Sequence, residues 1–242
     1  MQRYFALKKE DDIVFLEKSD FHHVKNVMRM KIGDKVEIVS DGIIYLASII
    51  SLDNTVKCKV IEKVKSLNRD IPRVIIVQAL VKEQKMDFIL QKSCELGVSE
   101  IIPLITKRSV VKVDKNDDKK IIRWQKIVKE ASEQSKRVDI PEIGRIMDIK
   151  DIASLEFTHK YICSVNEKSK TIKSILSNVN VCDTLIFVIG PEGGLDKDEE
   201  DYLLKNGFKS ISFGNRVLRT ESASLFIMSA VSYEFLRWLL CF

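Results

Sequence analysis

The residues best placed to do chemistry lie between Gly190 and Ala223. Gly190-Pro191-Glu192-Gly193-Gly194 is one glycine-rich loop, and Phe213-Gly214-Asn215 opens a second. Glycines tolerate positive φ and let the backbone come close to a ligand, so such loops after strands often meet nucleotides through main-chain groups. GxxxxGK[ST] and GxGxxG are both missing, which excludes a Walker loop and a Rossmann fingerprint. Either loop alone reads equally well as a tight turn with no ligand. Metal and disulfide chemistry find no pattern. The five cysteines, Cys58, Cys94, Cys163, Cys182 and Cys241, include no CxxC pair, and His22, His23 and His159 form no metal-binding motif.

The elements around these loops are legible from periodicity. Leu185–Ile189 is a continuous apolar, β-branched run that predicts a buried strand ending at the first loop. Asp196 opens an acidic helical stretch, Asp198–Lys205, which Gly207 closes. Lys209–Phe213 predicts a second strand, and Arg216–Thr220 leads into a last helix. Two neighbouring strands that each end in a glycine loop resemble the strand ends where α/β proteins bind ligands.

The chain has 242 residues, is 45% hydrophobic and carries 40 basic against 35 acidic residues, a net charge of +5. That balance allows a polyanionic partner without demanding one. The first residues, MQRYFALKKEDD, lack the apolar core of a signal peptide. Leu225–Phe242 is apolar over about a membrane's width. Its Ser229, Ser232, Glu234 and Arg237 favour a helix buried on protein over a membrane span.

From Gln2 to about Ser66 the chain predicts a small β domain, with strands Arg3–Leu7, Ile13–Leu16, Lys35–Ser40, Ile43–Ser51 and Val56–Val64. Gly33-Asp34, Asp41-Gly42 and Asp53-Asn54 mark its turns. One helix interrupts it, capped at Ser19 or Asp20, with Phe21, Val24, Val27 and Met28 on one face. Ser66-Leu67-Asn68-Arg69-Asp70 reads as a linker, giving domains 1–70 and 71–242. Strands and helices then alternate from Arg73, the pattern of a mostly parallel α/β sheet, for which an ordinary doubly wound topology is the default.

GPEGG followed by FGNRVLRTESA resembles the C-terminal signature of the RsmE-type RNA methyltransferases of the SPOUT superfamily. The chain departs from it in having Phe213 for the common Leu and Ser222 for the common Thr. The likeness continues upstream. Arg3-Tyr4-Phe5, His23, Met28-Arg29 and Gly33-Asp34 match the opening segments; Gln78–Val98 matches QAL…K…KM(D)…ILQK…ELGV; Arg108-Ser109-Val110-Val111 and Glu130–Arg137 match two more. Lys136 stands where the family usually has glycine.

The resemblance implies a PUA-like β-barrel that holds RNA, joined to a SPOUT domain with a deep trefoil knot and S-adenosylmethionine bound in the knot. It implies a homodimer with no metal, working in the cytoplasm on N3 of a uridine in 16S rRNA or the small-subunit particle. The cofactor residues would be Cys163, Ser164 and Val165; Gly190, Pro191, Glu192, Gly193 and Gly194; and Phe213, Gly214, Val217, Leu218, Arg219, Thr220 and Ala223. Arg3, Arg29, Lys82, Lys85, Arg108 and Arg137 would face RNA. N3 is a poor nucleophile until its proton leaves, so a base or a stabilising cation is required. Arg219, Arg108 and Arg137 are the cation candidates. Glu221 is the base candidate, and it reads equally as a helix cap. A non-catalytic RNA-binding assembly factor, or a SPOUT enzyme acting on tRNA or ribose 2′-OH, are the alternative readings.

Overall fold

The computed structural model describes residues 1–66 and 71–235. Most of the expected linker, Leu67 to Asp70, and the end of the expected apolar helix, residues 236–242, lie outside the described residues. The chain divides into two compact units, Met1–Asn68 with Ser132–Ile140, and Arg69–Ala131 with Pro141–Phe242.

The first unit contains β1 (Arg3–Phe5), β2 (Lys8–Glu10), β3 (Ile13–Phe15), α1 (Lys18–His22), β4 (Lys35–Ser40), β5 (Ile43–Asp53) and β6 (Thr55–Ser66). Its sheet runs β1-β4-β5-β6-β3-β2. The two edge strands are consecutive in the chain. Ala6 N–H donates to Val39 O and Leu7 N–H to Phe15 O, each at 2.8 Å, so one segment bridges both edges of the curled sheet. Alternating residues, among them Val14, Val36, Ile38, Ala47, Ile49, Val56 and Cys58, fill its inside with Tyr4. Asp41 and Gly42 both have positive φ, the twist-matched turn that a two-residue hairpin requires.

Two local readings are corrected here. The helix after β3 starts at Lys18 behind Glu17, not at Ser19 or Asp20, and runs on as a π-helical turn, His23–Val27. The wider turn breaks the 3.6-residue period, so Val24 is buried while Val27 and Met28 are exposed. Lys136, in the usual glycine position, holds the left-handed turn itself at φ 60°. Arg137 N–H donates to Ser132 O at 3.0 Å, which closes that turn.

In the second unit the elements are β7 (Arg73–Ala79), α2 (Glu83–Glu95), β8 (Glu100–Ile105), α3 (Asp118–Gln134), β9 (Glu142–Ile143), β10 (Met147–Asp148), α4 (Ile149–Ala153), β11 (His159–Cys163), α5 (Ile172–Leu176), β12 (Thr184–Ile189), α6 (Lys197–Lys205), β13 (Lys209–Ile211) and α7 (Thr220–Phe235). The sheet order is β10-β8-β7-β12-β11-β13, with β9 also on β8, and every pairing is parallel. Val74–Val77 and Leu185–Val188 are fully buried, as central parallel strands covered on both faces must be. One face packs Ile75, Val77, Ile186 and Val188 against Ile152 of α4 and Leu203 of α6. α7 packs against α2, α5, β7 and β12. Among the described residues, no helix is long and apolar enough to cross a membrane.

Candidate active site

β11 lies between β12 and β13 and is parallel to both, so the two strands that end in glycine loops are not the direct neighbours expected, but the C-terminal ends of all three point the same way. A cavity of about 610 Å³ opens there, within the size range of small-molecule sites. Cys163, Ser164 and Val165 line it from the end of β11; Gly190, Pro191, Glu192 and Gly194 from the loop after β12; and Phe213, Gly214, Val217, Leu218, Arg219, Thr220 and Ala223 from the segment entering α7. Gly193 does not line it; its carbonyl accepts from Arg108 Nη1 at 2.8 Å.

The glycine loop is folded by hydrogen bonds and by the lack of one side chain. Gly194 N–H donates to Pro191 O at 2.9 Å. A Cβ added to Gly190 would fall 2.8 Å from the Leu195 nitrogen and 3.0 Å from the Gly194 carbonyl carbon, so only glycine fits. Asp196 then starts α6 with a capping box, in which its side chain accepts from Asp198 N–H and Glu199 accepts from Asp196 N–H at 2.9 Å.

Thr220 joins the loop to the sheet. Its hydroxyl donates to Gly190 O at 2.9 Å and accepts from Gln78 Nε2 at 2.9 Å. Gln78 is fully buried on β7 and Thr220 nearly so. Thr220→Val keeps the shape but removes the donor to the partly buried Gly190 carbonyl and leaves the buried Gln78 amide short of a partner. We expect it to cost about 1–3 kcal/mol in urea unfolding, with Thr220→Ser close to wild type.

The charged residues divide into engaged and open. Lys85, on α2, lines the cavity, with Nζ 2.8 Å from Glu192 Oε1 and 3.7 Å from Glu221 Oε2. The hydrogen bond from Lys85 lowers the Glu192 pKa. Glu221 sits in the first turn of α7, and its Oε2 is buried without a hydrogen-bond partner. Arg108 lies on the outer side of the glycine loop, with Nη2 also 3.3 Å from Asp196. Arg219 lines the cavity and is exposed, and its guanidinium makes no hydrogen bond or ion pair with the described residues.

The remaining expected positions fall elsewhere. Arg3 is 6% exposed and its guanidinium is consumed by Glu37 at 2.9 Å and by the carbonyls of Lys136 and Arg137. These contacts lie within the first unit and leave little of the Arg3 side chain exposed to a phosphate. Arg137 pairs with Asp139 at 2.9 Å within the same unit and does not line the cavity. Arg29 is exposed and left-handed at φ 51°, and Lys82 is exposed at the start of α2.

Sequence reasoning missed Glu167, Lys168, Ser212, Asn215 and Arg216, all of which line the cavity. Glu167 ties its own loop by accepting from the N–H groups of Lys168, Ser169 and Lys170 and from the Ser169 hydroxyl. These bonds bring its pKa down to about 2. A depressed carboxylate stabilises the fold above its unfolded pKa and loses that effect as pH falls through the folded value. The 167–170 turn should therefore keep its amide protection in NMR titrations down to about pH 2. The EKSK composition is the one signal that could have suggested this turn.

The match to known proteins spans both units. Residues 69–232 match the RNA methyltransferase domain model, and residues 16–61 match the RNA methyltransferase PUA domain model. Ribosomal RNA small subunit methyltransferase E of Bacillus subtilis (strain 168) is 37% identical, with 97% of this chain and 97% of that one covered. The chain belongs to the ribosomal RNA small subunit methyltransferase E family. The Mesomycoplasma hyopneumoniae (strain 232) member is 32% identical over 95% of this chain and 98% of its own. The Neisseria gonorrhoeae family member, solved bound to S-adenosyl methionine, superposes with a TM-score of 0.84 at 28% identity and covers 96% of this chain and 97% of its own.

The cavity suits such a cofactor on its own chemistry. Gly194 and Gly214 have positive φ and open space where a Cβ would stand, which leaves backbone groups accessible. Phe213, Val217 and Leu218 offer apolar walls to a flat base, and Glu192 a carboxylate to an ammonium group. Among the described residues no group of three or more His, Cys, Asp or Glu could hold a metal ion.

Proposed function

We propose that this chain transfers the methyl group of S-adenosylmethionine to N3 of a uridine in small-subunit (16S) ribosomal RNA. The observation that carries the reading is one cavity built by two glycine loops, with Arg219 in its lining and its guanidinium without a partner among the described residues. S-adenosylmethionine supplies a methyl group already activated by its sulfonium. The protein's work is then to align that methyl with N3 and to assist loss of the N3 proton. Arg219 would meet the negative charge that develops on the uracil oxygens, and Glu221 is the base candidate. Residues 1–70 would act as a PUA-like RNA-holding domain and 71–242 as the knotted SPOUT domain, in the cytoplasm. Arg29 and Lys82 are exposed cations available to phosphates.

The test is transfer of labelled methyl to small-subunit RNA, followed by nucleoside mass spectrometry. The expected product is 3-methyluridine. Binding of the RNA with no transfer to free RNA or assembled particle would make the chain an assembly factor instead.

The same reading makes the chain a homodimer. Phe226 and Tyr233 of α7 are 40% and 81% exposed, apolar surface that a second copy could cover. Light scattering should give twice the chain mass across micromolar concentrations; a monomer throughout would remove the dimer and any composite site.

A further inference from the structure

The loop from Gly190 to Leu195 is held from outside at three points that belong to three separate segments. Thr220 of α7 holds the Gly190 carbonyl at 2.9 Å. Lys85 of α2 holds the Glu192 carboxylate at 2.8 Å. Arg108, after β8, holds the Gly193 carbonyl at 2.8 Å and reaches Asp196 at the start of α6. Within the loop, the one backbone bond is Gly194 to Pro191. Lys85 also reaches Glu221, so a single ammonium links the glycine loop to the first turn of α7. The side chains of Lys85 and Arg108 are 33% and 49% exposed, where ion pairs add little to global stability. Their effect falls instead on the loop itself, because charge-assisted bonds to a carbonyl and a carboxylate select one loop conformation.

We propose that Lys85 and Arg108 are positioning residues for cofactor binding. They hold the glycine loop in its ligand-ready form from opposite sides, and RNA contact is not their role. The proposal rests on the cavity being the S-adenosylmethionine site. A loop that samples other conformations binds with an affinity reduced by the fraction that is competent. Loss of either clamp should weaken cofactor binding about threefold to tenfold, the range for one ordinary hydrogen bond, because both side chains are partly exposed and their charge is screened.

The experiment compares the full-length wild type with Lys85→Met, Lys85→Arg, Arg108→Ala and Arg108→Lys. Calorimetry measures S-adenosylmethionine and its demethylated thioether product. Hydrogen exchange reads the amides of Gly193 to Leu195, and binding of small-subunit RNA is measured at two salt concentrations. Lys85→Met and Arg108→Ala should each weaken both cofactor forms, raise KM for the cofactor more than they lower kcat, and speed exchange only in this loop. Lys85→Arg should recover most of the affinity. Arg108→Lys should recover less, because one ammonium cannot span carbonyl and carboxylate as a guanidinium fork does. RNA affinity and its salt slope should stay near wild type. Unchanged cofactor affinity with weaker RNA binding in the two truncated variants overturns the proposal and makes both residues RNA contacts. A wild type that takes up neither cofactor form overturns the underlying reading of the cavity, and is told apart because it fails before any variant is compared. If Arg108→Ala does not fold, Lys85→Met and its arginine rescue decide the matter alone.

Discussion

Arg219→Ala is expected to lower single-turnover methyl transfer about 100-fold at saturating substrate, the scale set by removal of one electrostatic stabiliser. The sequence offers three arginines to stabilise charge on a uracil, Arg108, Arg137 and Arg219. Arg108 is spent on the Gly193 carbonyl and Asp196, and Arg137 on Asp139. Of these three, Arg219 alone lines the cavity, with its guanidinium unpaired among the described residues, a position that Arg216 shares, so Arg216→Ala is the control. Charge on the uracil oxygens appears only as N3 loses its proton, so an interaction with it acts on the transition state more than on binding. RNA affinity should accordingly change much less than turnover. The measurement pairs single-turnover transfer of labelled methyl with RNA binding. Wild-type turnover together with poor RNA binding would make Arg219 an anchor.

Gly190→Ala should weaken S-adenosylmethionine binding and lower methyl transfer by about 100-fold, the cost in rate of displacing a reacting group by roughly an ångström. The added Cβ would meet backbone at 2.8 to 3.1 Å on Leu195 and Gly194, and backbone cannot step aside as a flexible side chain can. The neighbouring glycines give graded controls. Gly194 has φ 69° but open space, so alanine there costs only conformational strain, roughly 1–2 kcal/mol. At Gly193 a Cβ would rest 3.6 Å from the Arg108 side chain, an ordinary contact. The order of effects should thus be Gly190, Gly194, Gly193. Equal calorimetric affinity in folded Gly190→Ala and wild type would remove this loop from the cofactor site.

Much of this molecule is legible in its sequence because local physics dictates it. Continuous apolar runs such as Leu185–Ile189 have no solvated face, so they become central parallel strands. Asp196 and Glu199 are spaced for a reciprocal cap, and Asp41-Gly42 for a hairpin turn. The two glycine loops could be named as one site because they follow consecutive strands of a repeating α/β pattern. Charged side chains were another matter. Their types were visible, but whether a guanidinium meets a phosphate, a carboxylate or a carbonyl depends on residues far away in the chain. Arg3 is buried by Glu37 and the carbonyls of Lys136 and Arg137; Lys85 meets Glu192 and Glu221; Arg108 meets Gly193. Only the tertiary structure decided those pairings, because a charge takes its role from the opposite charge or dipole that folding brings within about 3 Å, and spacing along the chain carries no record of it.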